Sequence, residues 1–141
     1  MDMRPILYVT GILLCTLACS MAIPALTDFA VGNPDWKVFF FSMVLSGFIG
    51  GALILTNASH SFSMSMRQTF LLTTISWIIL CFAAALPFAL SNQQMSLTDA
   101  VFEAVSGITT TGSTVLTDLQ DAPPGILLWR AVLQWLSVIH I

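Results

Sequence analysis

The peptide Ile108-Thr109-Thr110-Thr111-Gly112-Ser113-Thr114 holds the residues of this sequence whose types and spacing could do chemistry. An extended Thr-Thr-Thr-Gly backbone offers carbonyl oxygens that can replace part of the hydration shell of a monovalent cation, and Gly112 admits dihedrals closed to its β-branched neighbours. Carbonyl ligands suit potassium better than magnesium, which gives up its water reluctantly. The same run also fits a turn, so its composition leaves both readings open. Four carboxylates, Asp99, Glu103, Asp118 and Asp121, flank it. At an outer mouth they would enrich cations at low ionic strength, whereas Asp118 and Asp121 equally fit a plain solvated surface.

Other chemistry finds few residues to carry it. Cys15, Cys19 and Cys81 show no CxxC spacing and no neighbouring His, and read as small apolar packing residues without a disulfide. His60 reads as a solvated histidine with no second metal ligand nearby. The sequon-like Asn57-Ala58-Ser59 is too short a pattern to carry weight. HExxH, a nucleophile elbow and an intramembrane carboxylate pair are all missing, so neither an enzyme nor a cofactor is expected.

The elements that would position the Thr/Gly run are legible on both sides of it. Ser96-Leu97-Thr98-Asp99 fits a capping box, in which the Ser96 hydroxyl and the Asp99 carboxylate would satisfy free amides at a helix start. Val101, Ala104 and Val105 give the helix an apolar face, and Gly107 is its expected stop. Residues 97–107 would extend about 16 Å, half a bilayer. Another apolar stretch starts near Ile126, after Pro123-Pro124. A span, a half-helix, a Thr/Gly strand and a span make the plan of a re-entrant pore loop. Irregular backbone at membrane depth is tolerated only where it is buried in protein or lines water.

Composition demands the membrane. Of 141 residues, 57% are apolar and 8% charged, against roughly 25% charged in an ordinary soluble domain. The formal charge of -3 and the scattered bases exclude nucleic-acid binding. Uncharged stretches at 5–27, 38–66 and 68–98 each exceed the roughly 20 residues that cross hydrocarbon as a helix. The first is too long for a cleaved signal peptide and stays as a span ending near Pro24, with a polar turn through Asp28, Gly32, Asn33 and Pro34. The second begins near Trp36 or Val38 and carries Gly47 and Gly51 in GxxxG spacing, overlapped by Ser46 and Gly50, which suits close helix packing. Residues 57–67 read as an interfacial loop, and Pro87 is expected to end or kink the third span. Arg4 and Arg67 against Lys37 favour an inside N-terminus, with the segment after Leu90 outside.

Ala104-Val105-Ser106-Gly107-Ile108-Thr109-Thr110-Thr111-Gly112-Ser113-Thr114-Val115, followed by Trp129-Arg130 and Gln134-Trp135-Leu136, closely resembles the first pore loop of the bacterial Trk potassium uptake proteins, the TrkH and TrkG group of the Trk/Ktr/HKT superfamily. The two preceding spans fit the way such chains begin. The resemblance implies an all-α integral membrane fold: two N-terminal transmembrane helices (1–67), then one helix, pore-loop, helix repeat (68–141). Its parts would be an outer helix at 69–90, a half-membrane pore helix at 97–107, a filter at 108–114 and a truncated inner helix at 126–141. It implies further that Thr110, Thr111 and Gly112 supply the ion-facing backbone positions, with Thr109 beside them. The implied activity is K⁺ uptake, with K⁺ as the transported ion, in the bacterial inner membrane. The implied partners are a second copy in a homodimer and a cytosolic nucleotide-binding regulatory subunit.

Two departures shape the expectation. The family's glycine-rich stretch after the Trp-Leu of the inner helix is replaced by Ser137-Val138-Ile139-His140-Ile141, and three of four repeats are missing. The expected product is therefore a truncated form, inactive alone, with His140 in the hydrocarbon region. The alternative is a small membrane protein that associates with full-length Trk subunits through its Gly47 and Gly51 face and alters their assembly.

Overall fold

A computed structural model of the chain describes residues 3–58, 65–93, 95–117 and 120–140, with the side chains of 139 and 140 outside the description. It is all-helical, with no strand among the described residues. Six helices follow one another among the described residues: α1 (Arg4–Ser20), α2 (Ala22–Val31), α3 (Trp36–Asn57), α4 (Met66–Leu90), α5 (Leu97–Ile108) and α6 (Pro124–His140). Among the described residues, three helical stretches are long and apolar enough to cross a membrane: Arg4–Val31, which joins α1 and α2, then Trp36–Asn57 and Met66–Leu90.

The expected spans are present, with shifted ends. Pro24 does not close the first span; it occupies the first turn of α2, where its missing N–H is not needed, and the break falls at Met21 instead. Asp28 is accordingly a helical residue and not part of the polar turn, which begins at Gly32 in the left-handed conformation (φ 78°). α4 starts three residues before the expected 69, because Ser65 and Gln68 form a complete capping box at its N-terminus. Pro87 lies inside α4, which continues to Leu90. His60 falls outside the described residues.

Apolar side chains gain little by leaving lipid for protein, so close packing and polar contacts must hold these helices together. α1 and α3 meet along a backbone-to-backbone seam: a Cβ added at Gly11 would lie 2.8 Å from the Gly50 carbonyl oxygen, and one added at Gly50 would lie 2.9 Å from that of Gly11. Thr10 and Ser76 hydroxyls join α1 to α4 at 3.0 Å. The fully buried Trp129 of α6 donates its indole N–H to the Ala84 carbonyl of α4 (3.1 Å). Its ring meets Phe39 of α3 edge-on at 6.2 Å. Buried alanines, Ala84 and Ala85 on α4 and Ala100 and Ala104 on α5, contribute to the same core.

Two carboxylates tie the N-terminal helices to the rest of the bundle. Asp28 accepts a hydrogen bond from the Gly125 N–H (2.8 Å), placing negative charge at the positive end of α6. Asp35 accepts from the Asn92 amide at 2.9 Å, fixing the start of α3 to the turn after α4.

Candidate functional site

α5 begins where its cap residues place it. The Ser96 hydroxyl accepts from the Asp99 N–H (3.1 Å), and the Asp99 carboxylate accepts from that hydroxyl (2.7 Å) rather than from an amide. The helix does not stop at Gly107. That glycine is a packing position, where a Cβ would lie 3.1 Å from the Leu133 side chain on α6.

The helix ends instead in a Schellman motif: the Thr111 N–H donates to the Ser106 carbonyl (3.0 Å) and the Thr110 N–H to the Gly107 carbonyl (3.1 Å). The residue at the left-handed position is Thr110, with φ of 57°, where glycine is usual and a β-branched side chain is strained. Its hydroxyl donates to the Thr109 carbonyl at 2.7 Å. Thr109 Oγ1 donates to the Val105 carbonyl (2.7 Å), so in its 2.8 Å contact with Thr111 Oγ1 the donor is Thr111. Gly112 then takes a positive φ of 78°, as the freedom of glycine allows, and the chain turns back along α5.

Two residues one turn apart on α5 hold the returning segment. The Ser106 hydroxyl donates to the Ser113 carbonyl at 2.6 Å. Glu103 Oε1 accepts from both the Thr114 hydroxyl and the Val115 N–H, the latter at 2.6 Å. Glu103 Oε2 lies 2.9 Å from Arg130 Nε on α6, a charge pair whose N–H does not point along a hydrogen-bond line. With 0% exposure, Glu103 cannot draw ions to a mouth. This corrects the expectation for that residue: desolvating a carboxylate is costly, and the site supplies a partner for each oxygen. Asp121 is exposed, Asp99 is occupied with its cap, and Asp118 lies outside the described residues.

The outcome is an exposed segment, 109–114, clamped from behind. The carbonyls of Thr109 and Ser113 are taken by the Thr110 and Ser106 hydroxyls. Among the described residues, those of Thr110, Thr111 and Gly112 accept no hydrogen bond. The three positions singled out from sequence thus lie together with backbone oxygens available, while Thr109 serves the turn. Reasoning from sequence missed the Glu103–Arg130 pair. Its signal was two isolated charges on neighbouring apolar helices, an arrangement that usually means they meet.

The small-residue face of α3 is used within the chain. Gly47 faces Ala18 of α1 and Gly50 faces Gly11 and Cys15, so neither is free for another subunit; Gly51 meets open space. A partner-binding face built on Gly47 is therefore covered.

Residues 36–141 match the family described as "TrkH: Cation transport protein". The chain is 41% identical to the Trk system potassium uptake protein TrkI of Halomonas elongata, over 97% of this chain and 28% of that protein. It is 33% identical to the Trk system potassium uptake protein TrkH of Escherichia coli K12, over 96% of this chain and 28% of that protein. It superposes on the crystal structure of the potassium transporter TrkH from Vibrio parahaemolyticus with a TM-score of 0.93 and 32% identity, covering 100% of this chain and 30% of that one. The chain thus spans under a third of the length of these relatives.

Proposed function

Because this chain belongs to the TrkH family of cation transport proteins, we propose that it carries one K⁺-coordinating segment of a potassium uptake pathway, with the backbone carbonyls of Thr110, Thr111 and Gly112 as ligands. The observation that carries this reading is the exposed 109–114 segment, in which the carbonyls of Thr110, Thr111 and Gly112 accept no hydrogen bond among the described residues and whose back is held by Ser106 and Glu103. A cation losing water there is met by oxygens fixed in advance, so little reorganisation is needed.

One such segment presents oxygens from one side of an ion, so a working pathway requires further segments around it. These come from the same polypeptide or from other copies. The names of the relatives support potassium as the ion. The family resemblance supports the bacterial inner membrane, a homodimeric assembly and a cytosolic nucleotide-binding regulator. The distribution of Arg4, Lys37 and Arg67 supports an inside N-terminus.

The test replaces the matching N-terminal segment of the Halomonas elongata TrkI protein with this chain, in a bacterium lacking its own K⁺ uptake. Growth in low-potassium medium is expected from the chimera and not from its Thr111→Asp variant. Absence of growth with the chimera present in the membrane overturns the reading.

A further inference from the structure

We propose that the buried Glu103–Arg130 pair is a latch that fixes the position of the 109–115 segment and thereby sets its preference for K⁺ over Na⁺, an inference that rests on the proposed role of Thr110, Thr111 and Gly112. Glu103 joins three elements through one carboxylate: α5 through its backbone, the returning segment through Thr114 and Val115, and α6 through Arg130. A neutral acceptor would be enough to receive the Val115 N–H. The charge requires another reason, since a buried carboxylate is costly without a cationic partner. Charge shortens and strengthens the bonds it enters, and the 2.6 Å Val115 contact is at the short end for an amide donor. Backbone bonds of the Schellman turn hold the start of the segment at 109–111, so the tie is needed at its far end. Beyond Gly112 the exposed segment is held from behind by Ser106, through the Ser113 carbonyl, and by Glu103, through Thr114 and Val115.

Discrimination between two alkali cations depends on where carbonyls sit and how freely they move. The ion ligands at 110–112 lie between the strained Thr110 turn and the Glu103 clamp at 114–115. Loosening the clamp frees the segment at its far end while leaving the ligands chemically unchanged. Glu103 and Arg130 are therefore positioning residues. A purely structural role predicts a different result: less protein in the membrane, with uptake of all ions falling together.

The same TrkI chimera tests this, with K⁺ and Na⁺ uptake and membrane abundance measured together. Glu103→Gln is expected to lower the K⁺:Na⁺ preference by about tenfold, the scale of one charge-assisted hydrogen bond. The KM for K⁺ should rise while abundance is unchanged. Arg130→Gln leaves the Glu103 carboxylate buried without its ionic partner, so it no longer holds Thr114 and Val115 in position and the same loss should follow, whereas Arg130→Lys should retain most of the preference. An unchanged K⁺:Na⁺ ratio in both Glu103→Gln and Arg130→Gln overturns the latch. Amide exchange provides a second measurement in the 141-residue chain, reconstituted in lipid nanodiscs. The Val115 N–H should exchange at least about tenfold faster in Glu103→Ala than in the native chain. Equal exchange overturns the latch whatever the chimera does. Failure of the native chimera to take up K⁺ overturns the functional reading alone, and the exchange result then decides the latch.

Discussion

Thr110 adopts a left-handed backbone that β-branched residues avoid, and three local hydrogen bonds hold it there. Its hydroxyl contributes one of them, so Thr110→Val keeps the strain and loses part of the compensation. It should destabilise the chain by about 1 kcal/mol, read as a lower unfolding temperature in nanodiscs. Thr110→Asn should stay within about 0.5 kcal/mol of the native chain, because Asn tolerates this conformation. If both variants unfold alike, the hydroxyl does not support the turn. Gly112→Ala isolates the backbone contribution: open space surrounds the position, so its expected cost of about 1 kcal/mol comes from the positive φ alone. The Thr/Gly run and the need for a glycine at 112 were legible in the sequence. That Thr110 would take a glycine's conformation was not, because the Schellman bonds that impose it depend on where α5 ends. Gly107 looked like the stop, yet it serves a contact with Leu133, 26 positions further on.

Helix–helix contacts raise the same difficulty one level up. The long spans were plain from uncharged length, since nothing else accommodates more than about 20 apolar residues. Their rotation was not, because a helix apolar on every side has no polar face to reveal which way it turns. GxxxG spacing pointed to Gly47 and Gly51, whereas the closest approach in α3 is at Gly50, against Gly11 and Cys15 of α1. A leucine at 50 would push apart two backbones already in contact. Gly50→Leu should therefore separate α1 from α3 and cost more than about 3 kcal/mol, by overpacking and loss of the seam. Gly51→Leu points into open space and should change stability by less than about 0.5 kcal/mol. Thermal unfolding of the two variants side by side checks the assignment, and comparable losses would place the seam elsewhere.

Across the whole molecule, the N-terminal helices and the α4–α6 unit are joined by polar ties as well as by the core. Asp28 sits so close to α6 that a Cβ at Gly125 would collide with its carboxylate. Gly125→Ala must therefore expel the carboxylate, and Asp28→Ala in the same chain should recover part of the lost stability. Such a link between residues 97 positions apart leaves no trace in local pattern. Membrane orientation is the opposite case: it leaves a trace in sequence, in the placement of three bases, and none in the packing. Arg4 and Arg67 mark one side of the three spans and Lys37 the other, and the proposed orientation puts the side with more bases in the cytoplasm. On that proposal the segment after α4, including Thr117, lies outside and Met66 inside. Both positions are exposed, and the native Cys15, Cys19 and Cys81 lie within helical spans where they can be replaced by alanine. In intact cells a membrane-impermeant maleimide should label Thr117→Cys, and should label Met66→Cys only after permeabilisation. The reverse pattern would invert the chain and put the candidate ion-binding segment at the cytoplasmic end of its path. Because the margin is one base, exchanging Arg67 for Gln and adding a lysine beside Lys37 should turn a measurable fraction of molecules over, with both labelling patterns in one population.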